Sequence, residues 1–163
     1  MKSYHPQSRS VRTGLHLAPA ASSPRVARLM RAIPVRNTMP ERRVAQILRR
    51  QQLSFRRNTP HLPGTPDFYL PWASLAIFVD GCFWHGCPRC FRTPSVNSKW
   101  WVTKIETTKR RDRRKDAALR RLGLSVIHIR EHDSEDRIER RIRRLTRSTT
   151  RRASPKRSRS IRN

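Results

Sequence analysis

Residues 74–90, SLAIFVDGCFWHGCPRC, decide how this chain is read. The stretch opens as a continuous apolar run, the pattern of a strand covered on both faces. It then holds all three cysteines of the chain, Cys82, Cys87 and Cys90, with Phe83, Trp84 and His85 between them. An odd number of clustered thiols argues against a disulfide framework and for a reducing compartment, so a cytoplasmic protein is expected. Gly81, Gly86 and Pro88 allow the tight turns of a metal knuckle. Three thiolates need one more ligand to close a tetrahedral zinc site. His132 is the expected fourth, with His85 and His128 as alternatives and three free thiols as the metal-free reading. His128 is read as a packed core residue of a strand.

Working outward, NTMPERRVAQIL places Thr38 and Glu41 at the spacing of a capping box, with Pro40 in the first turn. Val44, Ile47 and Leu48 then recur at helical spacing. LSFRRN is a short strand candidate. HLPGTPDFYLP turns at Pro63-Gly64 and enters a strand at Asp67. From Asn97 a long helix is expected, with Trp101, Ile105, Thr108, Asp112, Leu119 and Leu122 near one side and Gly123 as its stop. LSVIHIRE is the last strand. The order helix, three strands, helix, strand predicts a small α/β domain with a mixed sheet.

The chain has 163 residues and carries 38 Lys+Arg against 11 Asp+Glu, a formal net charge of +27. Such a charge points to a polyanionic partner, and arginine suits bidentate phosphate contacts. Codon bias explains Arg over Lys but not the scarcity of carboxylates. Residues 1–25 are rich in Ser, Pro, Arg and Ala and are expected to be a disordered basic segment. A folded domain is expected over 26–135 and a basic tail over 136–163, with Ile138, Ile142 and Leu145 able to line a short helix. No stretch approaches the roughly 18 apolar residues of a membrane span. The N-terminus has no sustained apolar core of a secretory signal. A monomer is expected, since no apolar interface stripe remains once the core is assigned.

IFVDGCFWHGCP, preceded by LPGTPDFYLP and followed by KWWVTKIETTKRRDRRKDAALRRLGLSVIHIREH, resembles the bacterial very short patch repair (Vsr) DNA mismatch endonucleases. With MRAIPVRNTMPERRVAQIL, the similarity covers roughly residues 28–133. The resemblance implies a restriction-endonuclease-like (PD-(D/E)xK-type) mixed sheet flanked by helices, with a structural zinc site. It also implies Mg²⁺-dependent nicking of double-stranded DNA at the T:G mismatch left by 5-methylcytosine deamination. Asp67 then matches a Mg²⁺-binding carboxylate, Val79 lends its backbone carbonyl to the same ion, and His85 activates the attacking water. Glu41 and Asp112 match acidic residues acting through metal-bound waters. Phe83, Trp84 and Trp101 match aromatics that wedge into the duplex, and Cys82, Cys87, Cys90 and His132 occupy the zinc region. The best-known members carry Thr-His where this chain has Val79-Asp80, and a Cys is usual at the place of His132. Asp80 is included among the catalytic candidates.

Each role has a plainer alternative: a turn residue for Asp67, zinc ligation for His85, a capping box for Glu41, an exposed ion pair for Asp112, and core filling for Phe83 and Trp84. The expected activity is that of a Mg²⁺-dependent endodeoxyribonuclease located with the nucleoid, with a cytosine-5 methyltransferase as a possible genomic neighbour. Competing readings are a non-catalytic zinc-stapled DNA- or RNA-binding protein and a nuclease of the same fold with another specificity.

Overall fold

The computed structural model describes residue 19, residues 23–32 and residues 36–153. Most of the expected N-terminal segment and the end of the basic tail therefore lie outside the described residues. Helix α1 spans Pro24–Ala32 and α2 spans Met39–Arg50. Strand β1 is Arg56–Arg57, β2 is Phe68–Leu70, and a 3₁₀ turn at Pro71–Ala73 leads into β3, Leu75–Asp80. Helix α3, Ser98–Arg121, connects to β4, Ser125–Arg130, and α4 spans Glu135–Ala153.

The sheet order is β1-β2-β3-β4, antiparallel except for the parallel pair β3 and β4. Parallel neighbours need a crossover of a dozen or more residues. The cysteine stretch and α3 supply it, so the cysteines sit by necessity where β3 ends. The expected mixed sheet is present.

Helix α2 starts as the sequence predicts. The Thr38 hydroxyl accepts from the Glu41 amide, and the Glu41 carboxylate accepts from the Thr38 amide, closing the box. Val44, Ile47 and Leu48 are fully buried against Phe68, Leu70, Leu75, Ile77 and Ile129 from one face of the sheet.

Helix α4 completes that core. Ile138 and Ile142 are fully buried in it, and Leu145 packs at its edge. Each isoleucine contributes about 1.5–3 kcal/mol of burial. The helix expected on these three residues thus exists and belongs to the packed body, so the stretch read as a tail from 136 begins as core. Its charged side contributes Glu135 and Glu139 to Arg50 of α2, at 2.5 and 3.2 Å.

Two expectations need correction. Leu122 does not join the apolar side of α3: it is the C-cap residue and is 61% exposed. Helix α1 was not anticipated, because its arginines mask the pattern, and Pro24–Arg25, assigned to the disordered segment, form its first turn.

Candidate active site and metal knuckle

Alternation along the strands sends a second set of side chains away from the apolar core. Asp80 of β3 and His128 of β4 leave the sheet on the side covered by α3, where Asp116 of α3 meets His128. Asp67, immediately before β2, reaches across to the neighbouring strand, and its Oδ2 accepts from the Val79 amide at 2.7 Å. That bond places Asp67 and the Val79 peptide side by side, as the antiparallel pairing of β2 with β3 requires.

Two close glycine contacts fix α3 over this face. Gly64, in the turn before Asp67, has φ +81, and a Cβ there would lie 2.8 Å from Lys115 Cδ. Gly86, in the cysteine loop, has φ +57, and a Cβ there would lie 2.4 Å from Ile105 Cγ2. Only glycine accepts such angles at little cost and leaves room for the helix.

Between sheet and helix lies a cleft of about 1010 Å³, whose walls include Glu41, Asp67, Asp80, His85, Asp112 and His128. His85 Nδ1 lies 2.9 Å from Asp112 Oδ2 and 3.6 Å from Asp80 Oδ1. A carboxylate accepts only, so His85 donates to Asp112 through Nδ1. Asp112 also has Lys115 and Arg111 at 3.7 and 3.8 Å, so the exposed ion pair and the contact with His85 coexist. Glu41, besides closing the helix cap, accepts from the Asn37 amide at 2.9 Å and has Arg57 at 3.7 Å.

Burial pushes the Asp67 carboxyl up to about 6; the Val79 amide opposes this, while the charges of Glu41 and Asp80 add to it. His128 departs from expectation. Burial works against its charge, but Asp80 at 2.8 Å and Asp116 at 3.0 Å outweigh it and raise the ring to about 9. It is therefore no apolar core histidine. Sequence reading missed it because its partners, 48 and 12 residues away, come together only through strand pairing and helix placement.

At the mouth of the cleft the cysteine loop folds back on the end of β4. The sulfurs of Cys82, Cys87 and Cys90 lie 3.1, 3.7 and 3.1 Å from His132 Nδ1. All four donor atoms are within 4.8 Å of one another. Zinc at ordinary bond lengths requires S···N separations of about 3.5 Å in a tetrahedron. The set fits. Burial opposes ionisation of both Cys82 and Cys87. The amides of Arg89 and Cys90 overcome it at Cys87, which falls to about 7, whereas Cys82 is pushed up to about 11. Of the three histidines considered, His132 joins the sulfurs, and His85 and His128 turn to carboxylates. The Cys82 amide donates to Glu131 at 3.1 Å, a second tie between loop and strand end.

The aromatics of the loop gather in one patch with the start of α3. Phe83 lies edge-on to Trp84 and Trp101, with centroids at 5.2 and 5.0 Å. Trp84 is 39% exposed, whereas Trp101, at 9%, lies beneath the patch. Phe83 and Trp84 thus do not fill a core under the sheet, and Trp101 is the least available of the three.

These features define a class: a mixed-sheet α/β domain whose strand end carries a Cys₃His knuckle beside a cleft of carboxylates and imidazoles. The profile of the DNA mismatch endonuclease Vsr family matches residues 22–90, which include Glu41, Asp67, His85 and the three cysteines. The Type II nicking enzyme V.XorIIP of Xanthomonas oryzae pv. oryzae is 41% identical over 103 residues, covering 62% of this chain and 75% of that protein. The DNA mismatch endonuclease Vsr of Escherichia coli is 40% identical over 102 residues, 61% of this chain and 65% of that protein. The Type II nicking enzyme V.NmeDIP of Neisseria meningitidis serogroup C is 33% identical over 100 residues, 60% and 68% respectively. The chain belongs to the Vsr DNA mismatch endonuclease family, whose fold is restriction-endonuclease-like. Among the described residues no helix is long and apolar enough to cross a membrane.

Proposed function

We propose that this protein nicks double-stranded DNA at T:G mismatches by Mg²⁺-dependent hydrolysis of one phosphodiester. The observation that carries the reading is the His85–Asp112 pair, 2.9 Å apart, in the same cleft as Asp67. His85 Nε2 takes a proton from the attacking water, and Asp112 stabilises the imidazolium that forms. The water oxygen bonds to phosphorus as the bond to the leaving ester oxygen breaks.

Asp67 and the Val79 carbonyl would hold the magnesium. The donors fit: they are oxygens, and Asp67 is kept from ready ionisation by burial and by Glu41 and Asp80, a field that a divalent cation relieves. When bound, magnesium supplies charge stabilisation at the phosphoryl oxygens and lowers the pKa of a bound water. Glu41 holds the start of α2 at the cleft wall and adds negative charge there. Zinc on Cys82, Cys87, Cys90 and His132 would pin the loop that carries His85, Phe83 and Trp84.

Phe83 and Trp84 form the leading edge of an apolar wedge, with Trp101 backing them. Unstacking a mismatched step costs less than unstacking a matched one, so the wedge favours the lesion before any base is read. The strongly basic chain, at net charge +27, supplies phosphate affinity.

The test is a nicking assay on duplexes holding T:G or C:G at one site, with Mg²⁺ or EDTA. Cutting is expected for the T:G duplex with Mg²⁺ and to vanish in Asp67→Ala. Equal cutting of both duplexes would indicate another specificity, as the names of the type II nicking relatives allow. Binding without any cutting would indicate the non-catalytic reading. Metal analysis should give about one zinc per chain, lost in the Cys82→Ser, Cys87→Ser double variant.

A further inference from the structure

We propose that His128 is a positioning residue of this cleft: it ties Asp80 at the end of β3 to Asp116 on α3, and so sets His85 against Asp112. The inference rests on the nicking reading of the cleft and adds a residue that reading does not use.

The geometry dictates the state of the ring. Nδ1 lies 2.8 Å from Asp80 Oδ2, and Nε2 lies 3.0 Å from Asp116 Oδ1. Carboxylates offer only lone pairs, so both ring nitrogens must donate, and the ring must be the imidazolium. A neutral ring would aim one bare nitrogen at a carboxylate oxygen. The ring also stacks on Phe78 at 5.2 Å with planes 17° apart, a placement that suits a cation over an aromatic face. The raised pKa of about 9 agrees.

The consequence runs through α3. Asp112 and Asp116 are one helical turn apart on the same face, so anchoring Asp116 fixes the rotation and height of Asp112. Arg120 holds the other Asp116 oxygen at 3.2 Å and leaves Oδ1 to His128. On the strand side, Asp80 Oδ2 is taken by His128, which leaves Oδ1 3.6 Å from His85 Nδ1. The chain Asp116, His128, Asp80, His85, Asp112 is thus a closed circuit, with α3 as its last link. Helix and cysteine loop cannot shift independently without breaking one of its contacts.

The test compares His128→Phe, which keeps the ring stack without N–H groups, with His128→Arg, which restores two donors and a permanent charge. Single-turnover nicking, KM, zinc content, thermal unfolding and ¹⁵N spectra of the histidine rings are read for each. Expected for His128→Phe is a loss of about 10–100-fold in kcat, the usual range for an outer partner of a site, with KM and zinc content unchanged. His128→Arg should recover most of that loss. The wild-type spectrum should show both His128 nitrogens protonated at pH 7.5, and the His85 signals should move in His128→Phe.

Wild-type kcat in His128→Phe, or a bare His128 nitrogen at pH 7.5, overturns the proposal. Should His128→Phe fail to fold, Asp116→Ala, which removes the acceptor, takes its place: a clear fall in kcat at unchanged KM supports the tie, and wild-type kcat overturns it. If the wild-type protein nicks no duplex, the nuclease reading fails by itself. The ring spectra then decide the tie alone, since unmoved His85 signals in the variant refute it.

Discussion

The two faces of the sheet are built on opposite principles. One is dry: Phe68, Leu70, Leu75, Ile77 and Ile129 meet α2 and α4 through apolar contacts. The other is charged: Asp67, Asp80 and His128 lie under α3 with His85, Asp112 and Asp116. Apolar burial is non-directional and tolerates small shifts. A buried network of acids and imidazoles is worth its desolvation only when each partner is in hydrogen-bond reach. The first face stabilises the domain, and the second uses that stability to hold groups that would repel one another in a looser chain.

This contrast can be broken from either side. His85→Ala, on the charged face, should lower the nicking rate by about 10²–10⁴-fold and leave the thermal midpoint near that of the wild type. Rate assays and unfolding on one preparation check this, and a large fall in stability with little change in rate would reverse the assignment. Ile142→Ala, on the dry face, should cost about 2–5 kcal/mol in denaturant unfolding, with the rate per folded molecule unchanged. If it costs nothing, residues from 136 behave as the tail first expected.

Gly86→Ala probes the seam between the faces. Its positive φ and the contact with Ile105 should together cost about 2–3 kcal/mol, with His85 displaced and the nicking rate reduced as well. A variant that unfolds and nicks like the wild type would show that the glycine contact does not seat α3.

The smallest effect concerns pH. Asp80 from β3 and Asp116 from α3 face His128, whose folded pKa is about 9 against an ordinary 6.5. A raised histidine pKa contributes stability that is full below about 6.5 and is lost as pH rises through about 9. Stability against unfolding should therefore fall across that window by about 2 kcal/mol, solvent screening at the partly exposed ring reducing the full linkage value, and the slope should flatten in His128→Phe. An unchanged slope would remove His128 as its source.

Much of the fold was legible because its signals are local. The box of Thr38 and Glu41, the apolar repeat of Val44, Ile47 and Leu48, and the run from Leu75 to Val79 each state their element within a few residues. The knuckle was legible too, down to His132, because soft ligands spaced around Gly and Pro have few other uses. Leu122 and His128 were misplaced for one shared reason. Spacing tells which side of an element a residue takes, but not where that element ends or what it meets.

What the sequence determined by itself is which segments become helix or strand, which of their faces must leave water, and that the three thiols cluster after β3. Only tertiary structure decided that α4 closes the core, that His85 meets Asp112, and that His128 stands between two acids. Those outcomes depend on strand register and on the rotation of α3. Register and rotation come from packing contacts among residues far apart in the chain, such as Gly64 with Lys115 and Gly86 with Ile105.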